Sequence, residues 1–533
     1  MCSKNLENLY KTASSLTTFF YFLAFLTLCL HHATADKFLV IEGTCVFSYV
    51  ENLGYTCQLH NTTISNPTDV LEIAGNHLEN HTDADVQSVR TLGSDIRHLN
   101  GEILRKFQNL KNFNLFSSNL LTINTNAFEF CPQLKQLDIL SYKLTELPNQ
   151  MLKNCENLKS IFFNFELLRE IPENLFGSTK NLEDFYVQGK GLTTVPEKLL
   201  WNMHKLKGFD VSLNPIQQLS RYLLMYAENL ESFGVTLENF NDQQTLVDVL
   251  NVHSNLKRLY LRSSKFKIFK FDFLSNFQKL ETLYISSWNY NLTKIPWKLL
   301  PSSLTDLELF KIGEEIPEDA FSHLVNLKSL ELSGLGIENL HKDTFKPLSN
   351  LEMLEVTETS IKTLHPELFI NQGNLSNLRL ASNKIEEFPT GIFAPLVNIG
   401  IKHEVHGIIL WYNKIQRLNA NAFGQHPHLR YIQFSSNQIN EIERGIFGKF
   451  HSNLKCADFS SNKCIDETFD NATDLDGNES FRICFENWEE TAKTTTTEEV
   501  SMIATTHDGC GYNFRKFEIF LLIFGEVLVN FNN

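Results

Sequence analysis

Three things are scarce or missing in this 533-residue sequence, and each closes off a class of function. The first is positive charge. The formal balance is −15, and losing residues 1–35 would make it one unit more acidic, since Lys4 and Lys11 would leave with Glu7. A nucleic-acid binder needs a basic face to neutralise phosphates, so no nucleic-acid partner is expected. The second is the set of motifs that carry chemistry. There is no G-x-S-x-G elbow, no P-loop, no G-x-G-x-x-G and no H-E-x-x-H. With no positioned nucleophile, acid–base pair or metal set, the chain reads as non-enzymatic, without cofactor or metal. The third is a long apolar span. The run at 16–30 lies near the short limit for crossing a bilayer. The run at 517–531 is short and holds Glu518 and Glu526, which are costly in lipid.

Two local clusters resemble metal sites and fall short. His403-Glu404-x-His406 does not place two histidines on one helical face and reads as a solvated loop. Asp474-x-Asp476-Gly477 lacks the Glu that closes a calcium loop.

The N-terminus reads as a secretory signal. Lys4 and Lys11 precede the apolar core, and Ala33-Thr34-Ala35 is an A-x-A cleavage site that would make Asp36 the first mature residue. The competing reading is an uncleaved anchor. Export fits six glycosylation sequons at Asn61, Asn80, Asn291, Asn374, Asn471 and Asn478. It also fits eight cysteines beyond the signal, an even number suited to disulfides in an oxidising compartment.

What the sequence has in abundance is a repeat. Leu327-x-x-Leu330-x-Leu332 is followed by Ile337, Leu340 and Phe345. The same offsets recur from Leu351 and from Leu375, and the frame opens 16 times between Val86 and Leu454, mostly at 24-residue steps. In L-x-x-L-x-L the period is 2, so each opening is a short strand with one face inward. Pro148, Pro172, Pro196, Pro296, Pro317 and Pro389 keep the return stretch from becoming a long helix. Phe128, Phe176, Phe321, Phe345, Phe369, Phe393, Phe423 and Phe447 share one repeat position and are expected to stack as a core spine. Cys131 and Cys155 lie 24 residues apart at one repeat position, close enough for a bridge between neighbouring coils; two buried free thiols are the alternative.

Over 86–464 the sequence resembles the extracellular, 24-residue class of leucine-rich repeats, as in Toll ectodomains, chaoptin and slit-like proteins. The resemblance implies an α/β solenoid, a horseshoe with a parallel concave sheet and an irregular or 3-10 convex side. It also implies caps, because a solenoid exposes core at both ends. The expected organisation is a signal peptide at 1–35, an N-terminal cap at 36–85 and about 15 repeats at 86–453. A cysteine-bearing cap at 454–490, a Thr-rich stalk at 491–511 and an apolar tail at 512–533 follow. The tail reads as a lipid-anchor signal, a very short span or a soluble amphipathic helix. The N-flank resembles that of insect extracellular repeat proteins, and Cys45 is paired with Cys57 as a hairpin staple. At the other end Cys464–Cys484 is the preferred bridge, with Cys456–Cys484 as rival; Cys510 is unassigned. The family uses a buried Asn to satisfy turn backbone, and Asn214, Asn383, Asn413, Asn437 and Asn462 fit. Lys190, Glu238, Ile312 and Leu335 stand where Asn is expected, so those turns need water or altered geometry.

The candidate binding residues are the outward positions of the strands. One column runs Asn114, Asp138, Phe162, Tyr186, Asp210, Gly234, Tyr260, Tyr284, Glu308, Glu331, Glu355, Arg379, Ile409, Gln433. Tyr260 and Tyr284 should be strand neighbours, with Trp288 close by; Phe162 and Tyr186 form an earlier pair, and Trp411 with Tyr412 a later contact point. Aromatics are frequent interface anchors, although cross-strand packing explains them too. Glu308, Glu331 and Glu355 should sit on consecutive strands, where like charges destabilise a sheet; a Lys- or Arg-rich partner or plain solvation would account for them. The expected function is recognition of an extracellular protein ligand or co-receptor, secreted or at the outer face of the plasma membrane. The alternative is a structural surface or matrix protein that self-associates.

Overall fold

The computed structural model describes residues 40–493 apart from 92, 237–242, 252, 254, 264–270, 288–294, 312–314, 402–406, 451 and 453. The expected signal, the stalk beyond Lys493, the tail, Cys510, Trp288, Asn291, Glu238, Ile312, His403, Glu404 and His406 therefore lie outside the described residues. The chain is a parallel-sheet solenoid of about 14 turns with few helices. It divides into two compact units, one ending at Glu156 and including Leu175–Thr179, the other holding Asn157–Asn174 and Lys180 onward.

The first unit opens with a hairpin. Strand Val40–Val50 runs antiparallel to Gly54–His60, which then lies parallel to Ser88–Thr91. Ser88–Thr91 pairs with Asn112–Phe116, and that strand with Gln136–Ser141. The hairpin thus covers the open end of the repeat sheet with its own edge. Cys45 and Cys57 are bonded, with Cα atoms 5.2 Å apart, and the Phe47 ring stacks on His77 at 4.0 Å. Cys131 and Cys155 are also bonded, their Cα atoms 4.9 Å apart, because a 24-residue step returns the chain to the same position one coil later.

In the second unit the strands pair in parallel, in sequence order, from Ser160–Phe165 to Leu454–Asp458. Thr468–Ala472 closes the edge antiparallel. Leu327, Leu330 and Leu332, and their counterparts from Leu351 and Leu375, are fully buried. Phe321, Phe345, Phe369 and Phe393 stack at 6.2, 6.3 and 6.4 Å, forming the expected spine. The return side is made of turns and short 3-10 segments such as Ala420–Ala422. Its helix Gln243–Leu250 falls in the 26-residue repeat that follows Leu230, where extra chain accommodates it. The closing helix Arg482–Lys493 is tied by Cys464–Cys484, and Phe481 and Phe485 pack with Phe447. Cys456 is disulfide-bonded as well. Asp476 accepts from Gly445 N and Gly448 N at 2.9 and 3.0 Å, so the calcium-loop-like acids fasten backbone.

Three polar columns run along the coils. The first is the expected buried one. Asn437 donates to Leu410 O and Phe434 O at 3.0 Å each and accepts from Ile415 N at 3.1 Å. Asn214, Asn383, Asn413 and Asn462 repeat this pattern. Where Asn is missing early in the chain, a serine one position sooner takes over. Ser141 Oγ donates to Leu120 O at 2.7 Å and accepts from Leu144 N, and Ser117 Oγ donates to Ile96 O. The turn geometry differs as well: Leu213, Ser382, Tyr412, Ser436 and Ser461, each just before an Asn of this column, have positive φ, and Ser117 and Ser141 do not. Lys190 instead turns outward to Glu166 at 2.7 Å, and Leu335 joins the core.

The second column precedes each opening leucine. Asn109, Asn229, Asn326, Asn350 and Asn374 each donate Nδ2 to a backbone carbonyl one turn back, at 2.9–3.0 Å. The third alternates in charge: Lys159, Glu183, Lys207, Glu231, Lys257, Glu281. Glu183 bonds Lys159 at 2.7 Å and Lys207 at 2.8 Å, and these two ammonium partners pull its carboxyl down to about 2.

The buried column should matter most. Asn437→Ala strands several buried backbone groups, each worth about 1–3 kcal/mol. Asn350→Ala removes one exposed bond, worth about 1 kcal/mol or less. Equilibrium denaturant unfolding should rank them in that order; equal losses would contradict this account.

Candidate functional site

Because neighbouring strands pair without a shift, each outward position becomes a straight column. Tyr186 faces Asp210, then Gly234, Tyr260, Tyr284, Glu308, Glu331, Glu355, Arg379, Ile409 and Gln433 in unbroken register. The sequence-derived column is therefore physically contiguous over this stretch; Trp288, expected close to Tyr284, lies outside the described residues.

The face is more crowded than an exposed one. Tyr284 is 6% exposed, Phe162 5% and Ile409 6%. The reason is the strand spacing of about 4.8 Å, narrower than an aromatic ring or arginine, so each long side chain leans over its neighbour. Two glycines make this lean feasible. A methyl group on Gly208 would strike the Tyr186 hydroxyl and Asp184, and one on Gly234 would strike the Asp210 carboxylate. Tyr186 donates its hydroxyl to Asp184 at 3.0 Å, and burial with that acid beside it pushes the phenol up. Tyr186 is thus half-buried and tied down rather than a free anchor.

Around Tyr284 the chemistry is concentrated. The rings of Tyr260 and Phe310 lie 6.3 and 5.2 Å from it. The Arg262 guanidinium sits 4.5 Å over the Tyr284 ring. Arg262 is 5% exposed, and its Nη1 is buried without a hydrogen-bond partner. Arg262 lies in the adjacent outward column, which reading only one position per strand misses; tabulating all three outward positions would have found it. On the next strand Glu308 has its Oε2 buried and without a partner. Burial holds the Glu308 carboxyl above the usual carboxylate range, Asp306 adds to this, and Arg262 opposes it.

Glu308, Glu331 and Glu355 stand opposite one another on consecutive strands. Glu355 is paired with Arg379 at 3.5 Å. The acidic run is therefore bracketed by Arg262 on one side and Arg379 on the other, with aromatics at the Arg262 end. Trp411 is half-buried against Tyr412, rings 5.3 Å apart, and Tyr412 is 55% exposed. Such a surface can accept cationic groups and stack flat groups. Away from it, Glu318, His341 and Asp343 bring ligand atoms within 4.8 Å of one another on the exposed return side, although Asp343 already bonds Lys346 at 3.0 Å.

In the first unit the same column holds Asn114 opposite Asp138. Burial pushes Asp138 up to about 7, against the hydrogen bonds from Gln136 and Asn114. Its folded value exceeds the ordinary carboxyl value of 3.8, so its stabilising contribution is full below 3.8 and is lost as pH rises from there through about 7. Asp138→Asn should flatten that part of the pH–stability curve; a variant curve parallel to the wild type would refute the assignment.

Two family models agree with this architecture. A family described as BspA-type leucine-rich-repeat region, in six copies, matches residues 82–207 and 402–477, and a second leucine-rich-repeat family matches 325–385. No curated protein matches the chain. Among solved structures, the Drosophila Toll–Spatzle complex is 16% identical with TM-score 0.45, covering 77% of this chain and 64% of that one. The TLR13–ssRNA13 complex is 16% identical with TM-score 0.43, covering 79% and 71%. A Leptospira interrogans leucine-rich-repeat protein is 18% identical with TM-score 0.41, covering 71% and 84%. The chain thus spans 64% of the Toll chain it matches. With the 24-residue frame, the coil-by-coil strand pairing and the family matches in agreement, this chain is a leucine-rich-repeat protein.

Proposed function

We propose that the protein is an extracellular recognition protein that binds a protein ligand on the outward face of its strands. One observation carries this reading: Glu308, Glu331 and Glu355 are held in register beside Tyr260, Tyr284 and Arg262. Stacking like charges on neighbouring strands is unfavourable for the sheet alone. A ligand surface bearing Lys or Arg would relieve that repulsion, and the aromatics would supply buried contact area. The bonded pairs Cys45–Cys57, Cys131–Cys155 and Cys464–Cys484 support an oxidising compartment, either as a secreted protein or at the cell surface. Among the described residues no helix is long and apolar enough to cross a membrane. The sequons Asn61, Asn80 and Asn471 are exposed, which suits glycans. Asn478 is half-buried and caps a short helix through Oδ1, which leaves its Nδ2 for a sugar.

A second reading, self-association, draws on Val325, Ile370, Val397 and Ile401, all about half exposed. Light scattering on the purified protein separates the two, a symmetric oligomer favouring the second.

The direct test is proximity labelling on cells displaying the mature chain, compared with a Tyr260→Ala, Glu331→Gln, Glu355→Gln variant. Loss of charged and aromatic anchors at an interface costs about 2 kcal/mol or more, or at least roughly tenfold in affinity. The variant should lose the wild-type labelling pattern while keeping its circular dichroism. An identical pattern from both would sink the proposal.

A further inference from the structure

The outward face is not the only shaped surface. Along one edge of the second unit runs a groove of about 790 Å³, lined by Lys257, Glu281, Asn326, Lys328, Asn350 and Asn374 among others. Its volume suits a bound small-molecule-sized group, and its lining sets amide, hydroxyl, carboxylate and ammonium groups among exposed hydrocarbon, the mixture that a sugar's hydroxyls and apolar face require. Asn374 heads the sequon Asn374-Leu375-Ser376 and is exposed within it.

We infer that Asn374 carries an N-linked glycan whose first sugars lie in this groove, so that the edge is occupied by the protein's own carbohydrate and closed to partners. This rests on the export reading above.

The ladder fixes the geometry. Asn374 Nδ2 donates one hydrogen to Ser349 O at 2.9 Å. An amide nitrogen carries two hydrogens, so the second can be replaced by a sugar with the ladder bond kept. Asn350 and Asn326 stand at the same position one and two turns back, each tied to backbone, and their amide groups line the groove floor. Lys328, Thr305 and Ser303 add hydroxyl and ammonium groups suited to sugar hydroxyls, and Ile401, half exposed, offers methyl surface to the apolar face of a pyranose.

The same structure fixes when the sugar arrives. Ser376 is 1% exposed and its Oγ donates to Glu352 O at 3.0 Å; Leu375 is fully buried. A transferase that must grip the sequon hydroxyl cannot reach it in the folded coil. The donor is a lipid-pyrophosphate-linked oligosaccharide. The Asn374 Nδ2–C1 bond forms, the C1–O bond to the pyrophosphate breaks, the lipid pyrophosphate leaves, and the displaced amide proton passes to solvent. That step precedes closure of the turn. Asn61 and Asn80 differ: both sit exposed, at positive φ, outside any strand.

The full chain is expressed in a secretory host, and occupancy is read by peptide mass spectrometry. Glycan release by peptide amidase is then timed on native and denatured protein. The expected result is an occupied Asn374 whose glycan is released at least tenfold more slowly than those at Asn61 and Asn80 in the native state, and equally fast after denaturation. Asn326→Ala with Lys328→Ala should raise the native rate at Asn374. An occupied Asn374 released as fast as the others overturns the seating. An empty Asn374 beside occupied sequons elsewhere overturns the site while leaving export intact. If every sequon is empty, the export reading falls and this inference with it.

Discussion

A chain that returns to the same place every 24 residues must hydrogen-bond to itself one coil away, and that requirement governs this molecule. Like positions of adjacent turns lie about 5 Å apart. Every backbone group turned inward must find its partner there or remain unpaired in hydrocarbon. The buried asparagines Asn383, Asn413, Asn437 and Asn462 meet the requirement with one side chain bridging three backbone groups. Ser117 and Ser141 meet it with a hydroxyl set one residue earlier. The leucine core can be continuous because these groups are satisfied.

Much of this is legible in the sequence. The frame from Leu110 to Leu454 gave each strand, and its period of 2 gave the face. Cys131 and Cys155 could be paired from spacing because coils stack in register. The serine substitution was not legible, since it shifts by one residue and swaps an amide for a hydroxyl. Nor was the column of Asn109, Asn229, Asn326, Asn350 and Asn374, where a polar residue before a leucine looks like ordinary surface. Its role depends on the carbonyl one turn back, which no local pattern displays.

The outward face shows where a one-column reading fails. Position gives adjacency, but it does not give how far a side chain leans. Tyr284 is buried because Arg262 and Phe310 fold over it from the neighbouring column. Tyr186 lies over Gly208, a residue with no side chain for a pattern to register. Charge tells a similar story. Three glutamates in a row suggested a plain acidic stripe, yet Arg379 pairs with Glu355 and Arg262 lies near Glu308. The stripe is a negative strip between two positive ends, with Glu331 at its centre.

The alternating edge of Lys159, Glu183, Lys207, Glu231, Lys257 and Glu281 has a consequence for how such an array can grow or shrink. Excising one coil from this stretch would set lysine beside lysine or glutamate beside glutamate, whereas excising two restores the alternation. Exposed pairs of this kind contribute only about 0.2–1 kcal/mol each, so the bias is mild. Repeated over many duplications and losses, it still favours changes of length by even numbers of turns.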